Sequence, residues 1–292
     1  MKDIKSADFR IDKKINIKEL ATYEDFQLSK KTLEEELAKI RIALSKLQNT
    51  MYAHGKYAVL VCLQGMDTAG KDSLIREVFK DLNARGVVVH SFKVPTELER
   101  KHDYLWRHYI ALPARGKFGV FNRTHYENVL VTRVHPDYIL GEYLPDVKSV
   151  DDVNTEFWDK RFDQINAFEK TISENGTLIF KFFLNLSKDE QKFRLLKRLE
   201  KKNKHWKFSP DDLKERALWD KYQSCYEDAL NRTSKAHAPW YNIPADNKPA
   251  ARLLVASILL EEISKYTDIK EPDLDPKVKA KIDEYKQQLE NE

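Results

Sequence analysis

Residues 58–63 read Ala-Val-Leu-Val-Cys-Leu, an apolar run with no alternation. That suits a strand buried on both faces of a parallel sheet. Further apolar runs at 87–92, 117–121, 177–184 and 240–243 each predict another strand. Between them the apolar period changes to three and four residues. Leu74, Ile75 and Val78 give the stripe of a helix expected from Lys71 to about Asn83. Pro95 opens a predicted helix through Arg107, Thr124 one to Val134, Asn154 or Thr155 one to Ile172, and Ala250 one to Tyr266. Ser209, Pro210 and Asp212 have the order of an N-cap, a first-turn proline and an acidic third position, so a helix should lead from there through Trp219 and Tyr222 to Asn231. Upstream, Thr32 and Glu35 have capping-box spacing before Leu33, Leu37, Ile40, Leu44 and Leu47, the seam of a long amphipathic helix reaching about Ala53. Such a seam packs either on its own domain or on another subunit.

Residues 1–27 lack a strong period and predict an irregular arm, while Val278, Ile282, Tyr285 and Leu289 suggest a final helix in a charged tail. The expected division is therefore an N-terminal arm and long helix over 1–54, a strand-and-helix domain over 55–270, and a tail over 271–292. At 292 residues, with 41% hydrophobic and 34% charged, the chain can bury a core beneath a highly charged surface. A net charge of only +4 offers no global field for nucleic acid or anionic membrane, so any polyanion site must be local. The longest apolar stretch, 253–260, is too short to span a bilayer, and the first residues contain no signal-peptide core. Cys62 and Cys225 lack metal-ligand spacing and read as reduced thiols of a cytoplasmic protein.

The chemistry begins where the first strand ends. Gly65 and Gly70 bracket a turn, Ala69 stands within it and Lys71 follows, giving G-x-x-x-x-G-K between a strand and a helix. This is the pattern of a loop whose backbone N–H groups and helix N-terminus cradle phosphate. Two residues depart from the usual form. Asp72 stands where a Ser or Thr hydroxyl normally holds Mg2+, and Asp67 places a carboxylate inside an anion-binding loop. That carboxylate is expected to face a metal ion or an incoming proton; the plainer alternative is that it braces the turn. Lys93 falls just past the second strand, on the rim where open α/β sheets bind ligands, and Arg107 is a further anion candidate. Asn122 and Arg123 close the third strand, where a phosphate-loop kinase usually places an acid that orients Mg2+. Glu127 and Arg133 follow on the next predicted helix. From Ser187 the chain turns basic: Lys188, Lys192, Arg194, Lys197, Arg198, Lys201, Lys202, Lys204 and Lys207 crowd one segment. A basic lid over 187–209 can close on phosphates and exclude water. The whole predicts a P-loop kinase-like, three-layer α/β/α fold with a central parallel sheet and a helical lid.

The octet G-M-D-T-A-G-K-D at 65–72 resembles the G-x-D-x-x-G-K signature of the family-2 polyphosphate kinases, and residues 91–107, 121–135 and 240–252 are similar to that family's blocks in the same order. The resemblance implies reversible phosphoryl transfer between inorganic polyphosphate and nucleotides. It implies catalytic roles for Asp67, Lys71 and Arg123, and Mg2+, with Mn2+ as a substitute, at Asp67 and Asn122. Phosphate contacts are expected from Gly65, Ala69, Gly70, Asp72, Lys93, Arg133, Arg194 and Arg198, and nucleotide contacts from Arg107, Asn122 and Glu127. Relatives with Asn at this strand end use both mono- and diphosphates, implying AMP to ADP and ADP to ATP here, and relatives commonly form dimers or tetramers. Two other readings compete. An ATP-dependent nucleoside monophosphate kinase would share the loop and lid but not Asp67 and Asp72. An RNA-binding module would use the basic segment, but the chain lacks the interleaved aromatics of a single-strand reader, so no nucleic-acid partner is expected.

Overall fold

The computed structural model describes residues 4–292. The side chains of Lys204 and Lys207, counted above in the basic segment, lie outside that description. All five predicted strands form: β1 (Ala58–Gln64), β2 (Val87–Ser91), β3 (Phe118–Asn122), β4 (Thr177–Asn185) and β5 (Trp240–Pro244). They make one all-parallel sheet in the order β2-β3-β1-β4-β5. β1 is central and wholly buried, whereas the edge strand β2 leaves Val88 and Val89 exposed. The chain leaves β1 for β2 at one edge, returns to β3 and crosses from there to β4 on the other side of β1, so the loop after β1 sits at a topological switch point, where open α/β sheets bind ligands.

Side chains alternate across the sheet into two layers of core. Val59, Val61 and Leu63 of β1 join Phe180 and Phe182 of β4 beneath α1 (Lys30–His54), α2 (Lys71–Val78) and the helix Lys248–Ser264. On the opposite face Phe183 and Trp240 pack with the helices Thr155–Glu174 and Trp219–Thr233, and Leu60 and Cys62 of β1 with Phe121 and Phe168. The long seam of α1 is thereby settled: Leu33, Leu37, Leu44 and Met51 enter the domain's own core, against the helix Lys248–Ser264. The arm before it is irregular, as expected, but anchored. Ile11 N–H donates to Trp240 O at 2.9 Å and Asn242 N–H to Phe9 O at 2.8 Å, which covers the open side of β5.

Several helix boundaries differ from expectation. α1 begins at Lys30 because Ser29 Oγ accepts the Thr32 N–H at 3.1 Å, not through a Thr32–Glu35 box. α2 stops at Val78 instead of reaching Asn83: Arg41 reaches over from α1 to donate to the Glu77 carbonyl at 3.1 Å, satisfying one of the terminal acceptors. The single helix expected through Arg107 is two short ones, Glu97–Arg100 and Trp106–Tyr109, separated where Asp103 Oδ1 accepts the Leu105 N–H at 2.8 Å. The expected helix from Thr124 to Val134 is a 3-10 turn, His125–Val129, followed by one helical turn, Val131–Val134. The polar loop at 141–152 holds a 3-10 turn at Val150–Asp152. The helix beyond Ser209 breaks at Leu218 into Asp211–Ala217 and Trp219–Thr233. The tail forms Pro276–Lys279 and Ile282–Glu290, with no residue of either buried.

Candidate active site

The loop after β1 is shaped by its glycines. A Cβ on Gly65 would stand 2.7 Å from the Leu184 carbonyl of β4, and Gly70 has φ +107, so neither position admits a side chain without moving the loop. Lys71 opens α2, and its Nζ donates to Gly65 O at 2.6 Å. Burial pushes the Lys71 ammonium below its usual pKa, as does the Arg123 cation, while Asp67, Glu127 and Asp72 oppose the shift.

Above the loop lies a cleft of about 500 Å³ in which eight lysines and arginines face two carboxylates, Asp67 and Asp72. Two larger clefts, of about 700 and 930 Å³, lie away from the loop and mix acids with bases. The charge of the smaller one suits a polyanion. Asp67 is not bare. Arg123 Nη2 stands 3.1 Å from its Oδ1 while Nη1 stands 3.2 Å from Glu127 Oε2, so one guanidinium ties the loop to the 3-10 turn. Chiefly through Glu127, despite burial, these acids hold Arg123 above its ordinary pKa and so always charged. Asn122 donates through Nδ2 to Asp72 Oδ1 at 2.7 Å and to Ser91 Oγ at 3.3 Å, leaving its buried Oδ1 without a partner among the described residues.

The lid helix Lys188–Glu200 starts at Ser187, whose Oγ accepts the Glu190 N–H at 3.1 Å, and rests on the loop through Gln191 Nε2, 3.1 Å from Asp67 O. Arg198 pairs with Asp212 at 3.3 Å; burial, with Asp67 beyond, pushes that carboxyl above its usual pKa, although Arg198 opposes it. Arg194 spends its fork on protein oxygens: Nε on Glu190 at 2.7 Å, Nη1 on Thr68 O and Ala69 O at 2.9 and 3.1 Å, and Nη2 on Ala245 O and Asp246 O at 2.7 and 3.1 Å.

Of the residues singled out in the sequence, Asp67, Ala69, Gly70, Lys71, Asp72, Asn122, Arg123, Arg194 and Arg198 line one cleft, and Gly65 begins its loop. Four others stand apart. Arg133 pairs with Asp228 at 2.6 Å and lies over the Trp158 and Phe162 rings, outside the cleft. Arg107 is buried, donates to Lys93 O at 2.8 Å and lies over Phe92, so it shapes the segment after β2. Lys93 is exposed outside the cleft, and Glu127 acts on the cleft through Arg123. Arg194 lines the cleft with all five of its donors engaged by protein oxygens, so it braces the loop against the turn after β5. Asp246 and Asn247 shape that turn, accepting the N–H groups of Ser187 at 2.8 Å and Ala250 at 3.4 Å, while Lys248 enters the cleft.

Sequence reasoning missed Arg76 and Arg252, which line the cleft from α2 and the helix Lys248–Ser264. The signal was available for Arg252: with Lys248 it forms a cationic pair four residues apart at the start of a largely apolar helix. Arg194→Lys should retain the charge yet lose the fork. At about 1 kcal/mol for each bond not replaced, a loss of roughly 2–3 kcal/mol is expected in a denaturant titration, together with lower turnover.

Fold and site together define a P-loop kinase-like protein: a parallel sheet, a glycine-bounded phosphate loop at its switch point, and a basic helix over that loop. The family model described as "Polyphosphate kinase 2" matches residues 27–272. The chain is 41% identical over 289 residues to an ADP-polyphosphate phosphotransferase of Rhodopseudomonas palustris, covering 98% of this chain and 99% of that one. It is 45% identical over 238 residues to an AMP/ADP-polyphosphate phosphotransferase of Meiothermus ruber, covering 82% and 84%. A crystal structure of a polyphosphate kinase 2 from Arthrobacter aurescens superposes with a TM-score of 0.88 at 34% identity, covering 98% of this chain and 99% of that one. The chain belongs to the polyphosphate kinase 2 family.

Proposed function

We propose that this chain transfers a phosphoryl group between inorganic polyphosphate and nucleoside mono- and diphosphates, carrying AMP to ADP and ADP to ATP. The observation that carries the reading is the cation-lined cleft over the phosphate loop, in a chain so similar to phosphotransferases named for polyphosphate. Exchanging one phosphoanhydride for another is nearly thermoneutral, so the reaction runs in both directions and catalysis reduces to positioning and charge neutralisation. Arg76, Lys248 and Arg252 hold the chain of phosphates, Lys71 and Arg198 its reacting end, and Arg123 balances the charge shared between donor and acceptor.

The acidic and amide oxygens fit Mg2+, with Mn2+ as a substitute. Asn122 Oδ1 is a buried acceptor with no protein partner, and the Asp67 carboxylate lines the same cleft. Among the described residues no cluster of three or more His, Cys, Asp or Glu could hold an ion alone. That matches a cation held by one or two protein oxygens together with substrate phosphates and water. When bound, the ion neutralises charge on the phosphate oxygens. An Asp at position 122 would put a second carboxylate within hydrogen-bond distance of Asp72, so the neutral amide and Asp72 suit each other. Use of both AMP and ADP is supported by the similarity to an AMP/ADP-polyphosphate phosphotransferase.

An assay of AMP and ADP, each with Mg2+ and either polyphosphate or ATP as donor, tests the reading: polyphosphate should support transfer to both nucleotides. Transfer to AMP from ATP but not from polyphosphate would replace it with an ATP-dependent monophosphate kinase. The proposal extends to a cytoplasmic setting, supported by the free, buried thiols of Cys62 and Cys225, and to a dimer or tetramer, supported by the exposed valines of the sheet edge. Among the described residues no helix is long and apolar enough to cross a membrane.

A further inference from the structure

On the face of the sheet away from α1, four ionisable or hydroxyl-bearing side chains meet with no exposure to solvent. Lys181, in the middle of β4, and Glu169, of the helix Thr155–Glu174, stand 2.6 Å apart, both 0% exposed. Lys181 Nζ also donates to Tyr126 Oη at 2.8 Å and to Thr233 O at 2.7 Å. Tyr126 Oη donates to Glu169 Oε1 at 2.8 Å, and His125 Nε2 lies 3.0 Å from the same oxygen. His125 Nδ1 has no partner, as expected of a neutral imidazole that donates through Nε2, and burial holds its pKa low. Burial drives the Glu169 carboxyl up, but Lys181 and His125 outweigh it and keep the group ionised.

A buried ion pair is a poor device for stability. Desolvating two charges costs as much as their attraction returns, and apolar replacements of similar volume are often neutral or stabilising. The cluster therefore needs another explanation, and its position supplies one. His125 and Tyr126 begin the 3-10 turn His125–Val129, two residues after Arg123. Arg123 has φ +60, a left-handed conformation that costs a non-glycine residue energy and persists only where its surroundings impose it. Thr124, between them, is buried, and its Oγ1 accepts from Gln64 Nε2 and from Tyr126 N, both at 3.1 Å. The same turn carries Glu127, the second partner of the Arg123 guanidinium.

We propose that Glu169 and Lys181, acting through Tyr126 and His125, are positioning residues for phosphoryl transfer: they pin the turn after β3 so that Arg123 is held in its left-handed conformation between Asp67 and Glu127. The inference rests on the reading of Arg123 as a residue of the reacting centre. Neither Glu169 nor Lys181 lines the cleft, so neither touches substrate.

The test is a double-mutant cycle between Glu169→Leu/Lys181→Met and Arg123→Lys, assayed with ADP and polyphosphate. The Leu/Met variant should fold with a melting temperature near that of the parent. Its kcat should fall by about ten- to a hundredfold, the loss expected from displacing a reacting group by an ångström or less, while KM for polyphosphate stays within about threefold. Combined with Arg123→Lys it should lose little beyond what Arg123→Lys loses alone. Tyr126→Phe, which removes one oxygen and keeps the ring, carries the same cycle with a smaller loss if the Leu/Met variant does not fold. An unchanged kcat in a folded variant would overturn the proposal. So would losses that multiply in the combined variant, because the network would then serve the fold at large. Full activity of Arg123→Lys would overturn the reading of the site itself, and the proposal with it.

Discussion

Lys71→Ala is expected to give a folded protein with almost no phosphoryl transfer. Lys71 is the first residue of α2, and among the described residues its hydrogen bonds are to carbonyls of its own loop, Gly65 O at 2.6 Å and Met66 O at 3.4 Å. Truncation gives up those bonds, at about 1 kcal/mol, and leaves the glycines and the Arg194 brace that set the loop's path. What it removes from the reaction is larger. The ammonium lines the cleft over the phosphate loop, where a fixed charge stabilises a transferring phosphoryl group. Loss of one such preorganised charge costs on the order of 10²–10³ in kcat. Following ATP production from ADP and polyphosphate beside a thermal melt separates the two effects: turnover should collapse while the melting temperature moves by a few degrees. Activity within tenfold of the parent would remove Lys71 from the mechanism.

How much of this could be read in the sequence depended on the range of the interaction involved. A strand buried on both faces leaves an uninterrupted apolar run, and all five strands formed within two residues of expectation. The phosphate loop was equally legible, since Gly65 and Gly70 are required by backbone geometry within a short segment. Arginines were another matter. Arg133 and Arg194 look alike in sequence, but one is engaged by Asp228, 95 residues further on, and the other by carbonyls of the loop and of Ala245 and Asp246. A guanidinium is assigned by its acceptors, and the local sequence does not contain them. Arg76 was hidden for the same reason, because only packing of the helix Lys248–Ser264 beside α2 makes a cleft in which it faces Arg252. The buried Lys181 was the most concealed. A lysine inside an apolar strand pattern gives no sign that its partner lies on the preceding helix.

Asp67→Asn tests the departure that sets this loop apart, and here the expected result has two signs. The substitution keeps the side chain's size and removes its charge. The Arg123–Asp67 pair is 43% and 34% exposed and Arg123 retains Glu127, so the stability change should stay below about 1 kcal/mol. Affinity for the phosphate chain should hold or rise, because a negative charge has left a cation-lined cleft and the long-range attraction for a polyanion grows. Turnover should nevertheless fall by about 10²–10³, since the carboxylate is needed where charge is redistributed and not where the chain is gripped. A lower KM for polyphosphate beside a collapsed kcat is a combination that neither misfolding nor a damaged binding site produces. The same variant should need more Mg2+ for half-maximal rate, because the ion loses its charged protein oxygen. If Asp67 serves only to brace the turn, the pattern reverses: kcat and Mg2+ dependence stay at parental values and the melting temperature carries the effect.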